Sequence, residues 1–159
     1  MLNIKVICVG KSKEKYWDAA YAEYLKRLKG YCNPEVIEVK EAKLPANASA
    51  ADESNVITAE GRDILSRIGN GDYVIALDIQ GKEFASEEIA RKISEISFNN
   101  SRISFIIGGS LGLSDEVKKR ADLRMSFGRI TLPHQLARVV LLEQIYRAFK
   151  INAGEAYHK

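Results

Sequence analysis

Both histidines of the chain, His134 and His158, fall in its last fifth, and the sequence closes on Tyr157-His158-Lys159. A histidine can take or release a proton near neutral pH, a tyrosine beside it can stack on or orient a planar ring, and a lysine supplies a cation. Chain ends without a task usually fray, so this tail has two readings: a disordered end, or a segment that completes a site. His134 follows Pro133 at the expected start of a helix, where capping or packing is its first reading. Arg138 and Arg147 lie on the same helix as surface or interface residues, with Glu143 four positions before Arg147 and able to pair with it.

Three other segments have the backbone openness a ligand needs. They are Leu77-Asp78-Ile79-Gln80-Gly81, Gly108-Gly109-Ser110-Leu111-Gly112-Leu113, and Phe127-Gly128-Arg129-Ile130-Thr131-Leu132. Glycines allow N–H and C=O groups to approach an adenine or a ribose closely. The alternative for Gly108 to Gly112 is a tight strand-to-helix turn. That loop is neither GxGxxG nor GxxxxGK[ST], so dinucleotide and nucleoside triphosphate binding lack their motifs. A GxSxG elbow, an HExxH pair and paired catalytic carboxylates are also missing. Methyl transfer from S-adenosyl-L-methionine is compatible with that poverty, because the sulfonium already activates the methyl group and the protein has mainly to align donor and acceptor.

These segments need a frame, and the hydrophobic pattern predicts an α/β one. Leu2 to Val9 is an Ile/Val-rich strand pattern stopped by Gly10. Trp17, Tyr21, Tyr24, Leu25 and Leu28 make a helical stripe between Glu14 and Leu28. A strand is expected over Glu35 to Val39, then a mobile surface connection from Glu41 to Asn55, then a helix from Val56 to Ile68. Gly69-Asn70-Gly71-Asp72 is turn chemistry before a strand at Tyr73 to Asp78. Ser86 is expected to cap a helix reaching Phe98. Arg102 to Ile107 reads as a strand, Ser114 as the cap of a short helix, and Leu123 to Phe127 as a fifth strand. Pro133 opens a last helix that ends before Gly154. Alternating strands and helices imply a mainly parallel sheet covered on both faces. In such sheets ligands bind beyond the carboxyl ends of the strands, where all three glycine-bearing segments fall.

The last helix carries too many apolar residues for one stripe. Leu136, Val139, Val140, Leu141, Leu142, Ile145, Tyr146 and Phe149 predict burial on two sides, one toward the sheet and one toward a second subunit.

Size and composition are those of one globular domain, residues 1–159, able to bury about two-thirds of its unfolded surface. Apolar residues make up 46% and charged residues 28%, which excludes disordered and fibrous classes. The 24 basic and 21 acidic side chains leave a net charge of only +3, too even to identify a nucleic-acid protein by itself. The distribution is less even: Lys11, Lys13 and Lys15 cluster after the first strand, and Arg129, Arg138, Arg147, Lys150 and Lys159 outnumber the late acids. Cys8 and Cys32 have no zinc-type spacing and read as reduced thiols. The apolar run at Ile4 to Val9 is too short for a signal peptide or a membrane span, so a cytoplasmic protein without membrane contact is expected.

Taken together, these motifs resemble the RlmH family of SPOUT methyltransferases, which methylate N3 of a pseudouridine in helix 69 of large-subunit (23S) ribosomal RNA. The likeness spans essentially the whole chain. It is carried by Val9-Gly10-Lys11 with Glu14-Lys15-Tyr16-Trp17, by Leu77-Asp78-Ile79-Gln80-Gly81, by Ile107-Gly108-Gly109-Ser110 with Gly112-Leu113, by Thr131-Leu132-Pro133-His134-Gln135, and by Arg138-Val139, Glu143-Gln144, Tyr146-Arg147-Ala148 and Tyr157-His158-Lys159. The resemblance implies S-adenosyl-L-methionine held by Leu77, Gly108, Phe127, Gly128, Arg129, Ile130, Thr131 and Leu132, mostly through backbone contacts. It implies a C-terminal trefoil knot and a homodimer whose site draws on both subunits, acting on ribosomal RNA within the ribosome without a metal. Gly128 departs from the serine common in relatives. His158 and Tyr157, then Arg138, are the expected catalytic residues, serving to remove the N3 proton, stabilise the resulting anion and orient the base.

Overall fold

The structure, a computed structural model, describes residues 1–157. Among the described residues five strands and five helices alternate: β1 (Asn3–Val9), α1 (Lys15–Leu28), β2 (Asn33–Val39), α2 (Ala50–Ser66), β3 (Tyr73–Glu83), α3 (Ser86–Ser97), β4 (Arg102–Ile107), α4 (Asp115–Arg120), β5 (Leu123–Ser126) and α5 (His134–Asn152). The strands form one sheet in the order β2-β1-β4-β3-β5, with every neighbouring pair parallel.

Strand side chains alternate between two cores, as the pleat requires. Ile4, Val6, Ile103 and Phe105 meet Tyr21 and Leu28 of α1, Ile89 and Ile93 of α3, and Leu141, Leu142 and Ile145 of α5. On the other face Ile7, Val9, Val74 and Ile106 meet Ile64 of α2 and Val117 of α4. Cys8 and Cys32 are free and buried, and burial pushes their thiols up to about 11 and about 12. Among the described residues no helix is long and apolar enough to cross a membrane.

Three expectations need correction. The connection expected to run to Asn55 ends at Ser49, whose hydroxyl accepts from the Asp52 N–H while the Asp52 carboxylate accepts from the Ser49 N–H. This reciprocal cap starts α2 early, through alanines that favour a helix. Ser86 is the first residue of α3 rather than its cap. Glu88 takes the Ala85 N–H, at 2.7 Å, which leaves the Ser86 hydroxyl to donate to Gln144 of α5 at 2.6 Å. Finally, β3 continues past Asp78 to Glu83. Its ladder with β5 breaks after Leu77↔Met125 and resumes at Lys82↔Met125, so residues 78–81 bulge outward. Gly81 permits this, because a Cβ there would stand 2.7 Å from the Arg124 carbonyl and 2.8 Å from the Met125 nitrogen.

The breadth of α5 follows from its surroundings. Arg138, Leu141, Leu142, Ile145 and Ala148 are buried, and no residue from His134 to Ile151 is fully exposed. Leu136 and Val140 stay half-buried. The helix stops at Gly154 (φ +68°), where the Glu155 N–H reaches the Lys150 carbonyl and the Gly154 N–H the Ile151 carbonyl. This paired closure turns the tail back along the helix.

Candidate active site

A cleft of about 390 Å³ opens beyond the carboxyl ends of β3, β4 and β5. That volume is in the range of small-molecule sites. Three connections line it: the 78–81 bulge with Leu77, the glycine loop after β4, and the segment after β5. Lys118, His134 and Ala137 complete the wall.

Each connection is shaped by a local device. Asp78 folds the bulge by accepting from the Gln80 N–H at 3.0 Å, and Arg124 (3.3 Å) and Lys118 (4.0 Å) balance its charge. After β4, the Gly112 N–H donates to the Gly109 carbonyl at 3.0 Å, with Gly112 at φ +86°. The loop is therefore both a tight turn and a wall of the cleft, which unites the two readings open from sequence. A Cβ on Gly108 would meet Leu113 Cδ2 at 2.8 Å and the Gly112 carbonyl at 3.1 Å, so the backbone packs too closely for any side chain. After β5, the Gly128 N–H donates to Ser126 Oγ at 3.0 Å with Gly128 at φ +101°, a conformation glycine adopts without strain.

Glu60 of α2 lies behind the glycine loop, 4% exposed. Its carboxylate accepts from the Ala42 N–H at 3.1 Å, and its Oε1 lies 2.8 Å from where a Cβ on Gly109 would be. Burial raises its pKa above the usual carboxylate range, against the lowering effect of that N–H.

Of the expected cofactor residues, Leu77, Gly108, Phe127, Gly128, Ile130, Thr131 and Leu132 line the cleft, while Arg129 does not. His134, which read first as a cap, stands at the cleft edge. Lys118, Met125 and Ala137 had no sequence signal, since each reaches the cleft only through tertiary placement.

Arg138 and Tyr157 lie elsewhere. The Arg138 side chain is 1% exposed and its guanidinium holds Glu38 at 2.7 Å, the Val9 carbonyl at 3.0 Å and the Gly10 carbonyl at 2.6 Å. It pins α5 to the end of β1, beside Tyr21, whose hydroxyl donates to the Gln135 carbonyl at 3.1 Å. Burial pushes the Tyr21 phenol up to about 12. In the tail, Glu155 takes bonds from Tyr31 and Lys150. Tyr157 then lies against Tyr146, with ring centres 5.1 Å apart, under the Arg147 guanidinium at 4.7 Å, its hydroxyl 3.4 Å from Glu143. Glu143 is six residues beyond Ala137, about 9 Å along the helix, so Tyr157 stands outside the cleft of its own chain. His158 and Lys159 lie outside the described residues.

Comparison with known proteins identifies the family. The family model described as "Predicted SPOUT methyltransferase" matches residues 2–158. A protein of Leuconostoc mesenteroides named ribosomal RNA large subunit methyltransferase H is 55% identical over 99% of this chain and all of its own length. A protein of Oenococcus oeni with the same name is 53% identical over the full length of both. A solved structure of a probable methylase family protein from Haemophilus influenzae Rd KW20 shares the fold, with TM-score 0.55 and 14% identity over 98% of this chain and 70% of its own. With a family model matched over nearly every residue and full-length relatives above half identity, the chain belongs to the SPOUT methyltransferase family.

Proposed function

We propose that this chain is an S-adenosyl-L-methionine-dependent methyltransferase that modifies N3 of a pseudouridine in helix 69 of large-subunit ribosomal RNA, on the assembled ribosome. The observation that carries the reading is the cleft itself, which gathers seven of the eight residues expected to hold the cofactor. The names of the full-length relatives support a ribosomal RNA substrate. A ribosomal substrate in turn places the reaction in the cytoplasm.

The residues present suit the cofactor. The walls at Gly108 and Gly112 are bare backbone that a Cβ would obstruct or strain, and Leu77, Phe127 and Leu132 offer apolar surface to an adenine. When bound, S-adenosyl-L-methionine supplies an electrophilic methyl group. The chain's own task is the acceptor, because N3 of pseudouridine is a weakly acidic imide nitrogen that must shed its proton before its lone pair can react. His158 takes that proton, directly or through water, or in its protonated form joins Lys159 in stabilising the imide anion. Tyr157 stacks on or orients the base. Arg138, buried against Glu38, contributes by position, holding the first turns of α5 beside the cleft.

Because Tyr157 packs about 9 Å along α5 from its own cleft, the tail serves the partner subunit in a homodimer. Half-buried Leu136 and Val140 on α5 support that pairing. The C-terminal trefoil knot belongs to the same proposal. Its support is the path from edge strand β5 back across the sheet, which brings Arg138 to the end of β1.

Calorimetric titration with S-adenosyl-L-methionine separates a transferase from a module that only binds RNA. One site per chain is expected, and absence of binding would refute the reading.

A further inference from the structure

A cationic and aromatic strip lies beside the cleft without a part in the mechanism. Lys11 and Lys13 of the β1–α1 connection and Lys15 at the start of α1 are exposed, and among the described residues none makes an ion pair or a side-chain hydrogen bond. Tyr16 is 64% exposed, its ring 5.2 Å from that of Trp17. Nearby acids do not cancel the strip. Glu38 is engaged by Arg138 and by the Ser12 N–H at 2.6 Å, the exposed Glu14 and Asp18 pair with none of the three lysines, and Glu41 lies beside Gly10.

The backbone beneath these side chains is held firmly. The Gly10 N–H donates to the Val39 carbonyl at 2.9 Å, and Arg138 donates to the Gly10 carbonyl at 2.6 Å. The strip leaves the same end of the sheet as the glycine loop of the cleft, because β1 and β4 are parallel neighbours with Cys8 opposite Ile107. Exposed, unpaired cations on an ordered backbone, followed by an exposed aromatic ring, suit a single-stranded nucleic acid: lysines neutralise phosphates and the ring offers a stacking face that any base can use.

We propose that the β1–α1 connection and the first turn of α1 form the docking strip for an unpaired segment of the RNA substrate, with Lys11, Lys13 and Lys15 on phosphates and Tyr16 stacked on a base neighbouring the one that enters the cleft. This rests on the RNA methyltransferase reading above.

The test compares wild type, K11Q/K13Q/K15Q, Tyr16→Ala and Tyr16→Trp in steady-state methylation of unmodified ribosomes at several salt concentrations, with K26Q/K29Q at the far end of α1 as control. The triple variant should raise the ribosome KM at least ten-fold and flatten the dependence of log affinity on log salt by about 2, the share of three phosphate contacts. Its kcat and cofactor affinity should stay at the wild-type level. Tyr16→Ala should raise KM about ten-fold, and Tyr16→Trp should restore it. Unchanged KM and salt slope in the triple variant, an equal effect in the control, or a change of oligomeric state by sedimentation accompanying the KM change would each overturn the strip. Wild-type protein that methylates no ribosomes would overturn both readings. Wild-type activity with an unaltered triple variant overturns this one alone.

Discussion

Replacing Arg138 with methionine tests whether this residue works by holding α5 rather than by touching substrate. The guanidinium is 1% exposed and makes three bonds, two of them to carbonyls at the end of β1. Methionine keeps an unbranched apolar stem of similar reach and removes every donor. Each carbonyl left without a partner in a buried place costs about 1–3 kcal/mol. Glu38, whose side chain is 31% exposed, regains water and offsets part of that loss. The net cost is about 3 kcal/mol, which for a chain of this length lowers Tm by roughly 6–12 °C. Differential scanning calorimetry at one fixed protein concentration measures it, so that association does not shift the baseline. Glu38→Gln should cost less, and the double variant should lose less than the sum of the two, with a coupling of about 1–2 kcal/mol. A Tm within 2 °C of wild type, together with abolished methyl transfer, would refute the reasoning and return Arg138 to direct contact with substrate.

Gly81→Ala should be severe, because its Cβ would lie 2.7 Å from backbone that cannot turn aside. A loss of about 1–3 kcal/mol and at least ten-fold weaker cofactor binding are expected by urea denaturation and calorimetry. Deleting residues 157–159 should abolish methyl transfer to ribosomes while leaving cofactor affinity within about two-fold, and full activity would contradict the role given to the tail. Glu60→Gln should stabilise the protein at neutral pH. The buried carboxyl has its folded pKa raised, so the native state is penalised as pH climbs through and above the ordinary carboxylate range; the advantage of the variant should vanish as pH falls below it. A Tm difference independent of pH would show that Glu60 titrates normally.

Much of the architecture was legible because strand and helix periods are unmistakable in this chain. Arg102 to Ile107 matches β4 residue for residue, and Ser114 caps α4 by accepting from the Val117 N–H. The early start of α2 was hidden because Ser49 and Asp52 sit among small residues that also suit a loop. The extension of β3 was hidden for a different reason. Only the close approach of Arg124 to Gly81, a contact between distant segments, explains a strand that bulges and resumes. At the site, glycines marked the cleft walls, but the burial of Arg138 could not be read from sequence. An arginine amid apolar helix residues has the same pattern whether it faces a ligand or two carbonyls of another strand.

The most direct test of the central claim is incubation of the protein with S-adenosyl-L-methionine labelled in its methyl group and ribosomes lacking the modification, followed by mass-spectrometric mapping of the labelled nucleotide. One label per ribosome, on N3 of a pseudouridine in helix 69 of the large subunit, is the predicted result. Label at another nucleotide, or none when the cofactor binds, would contradict the account.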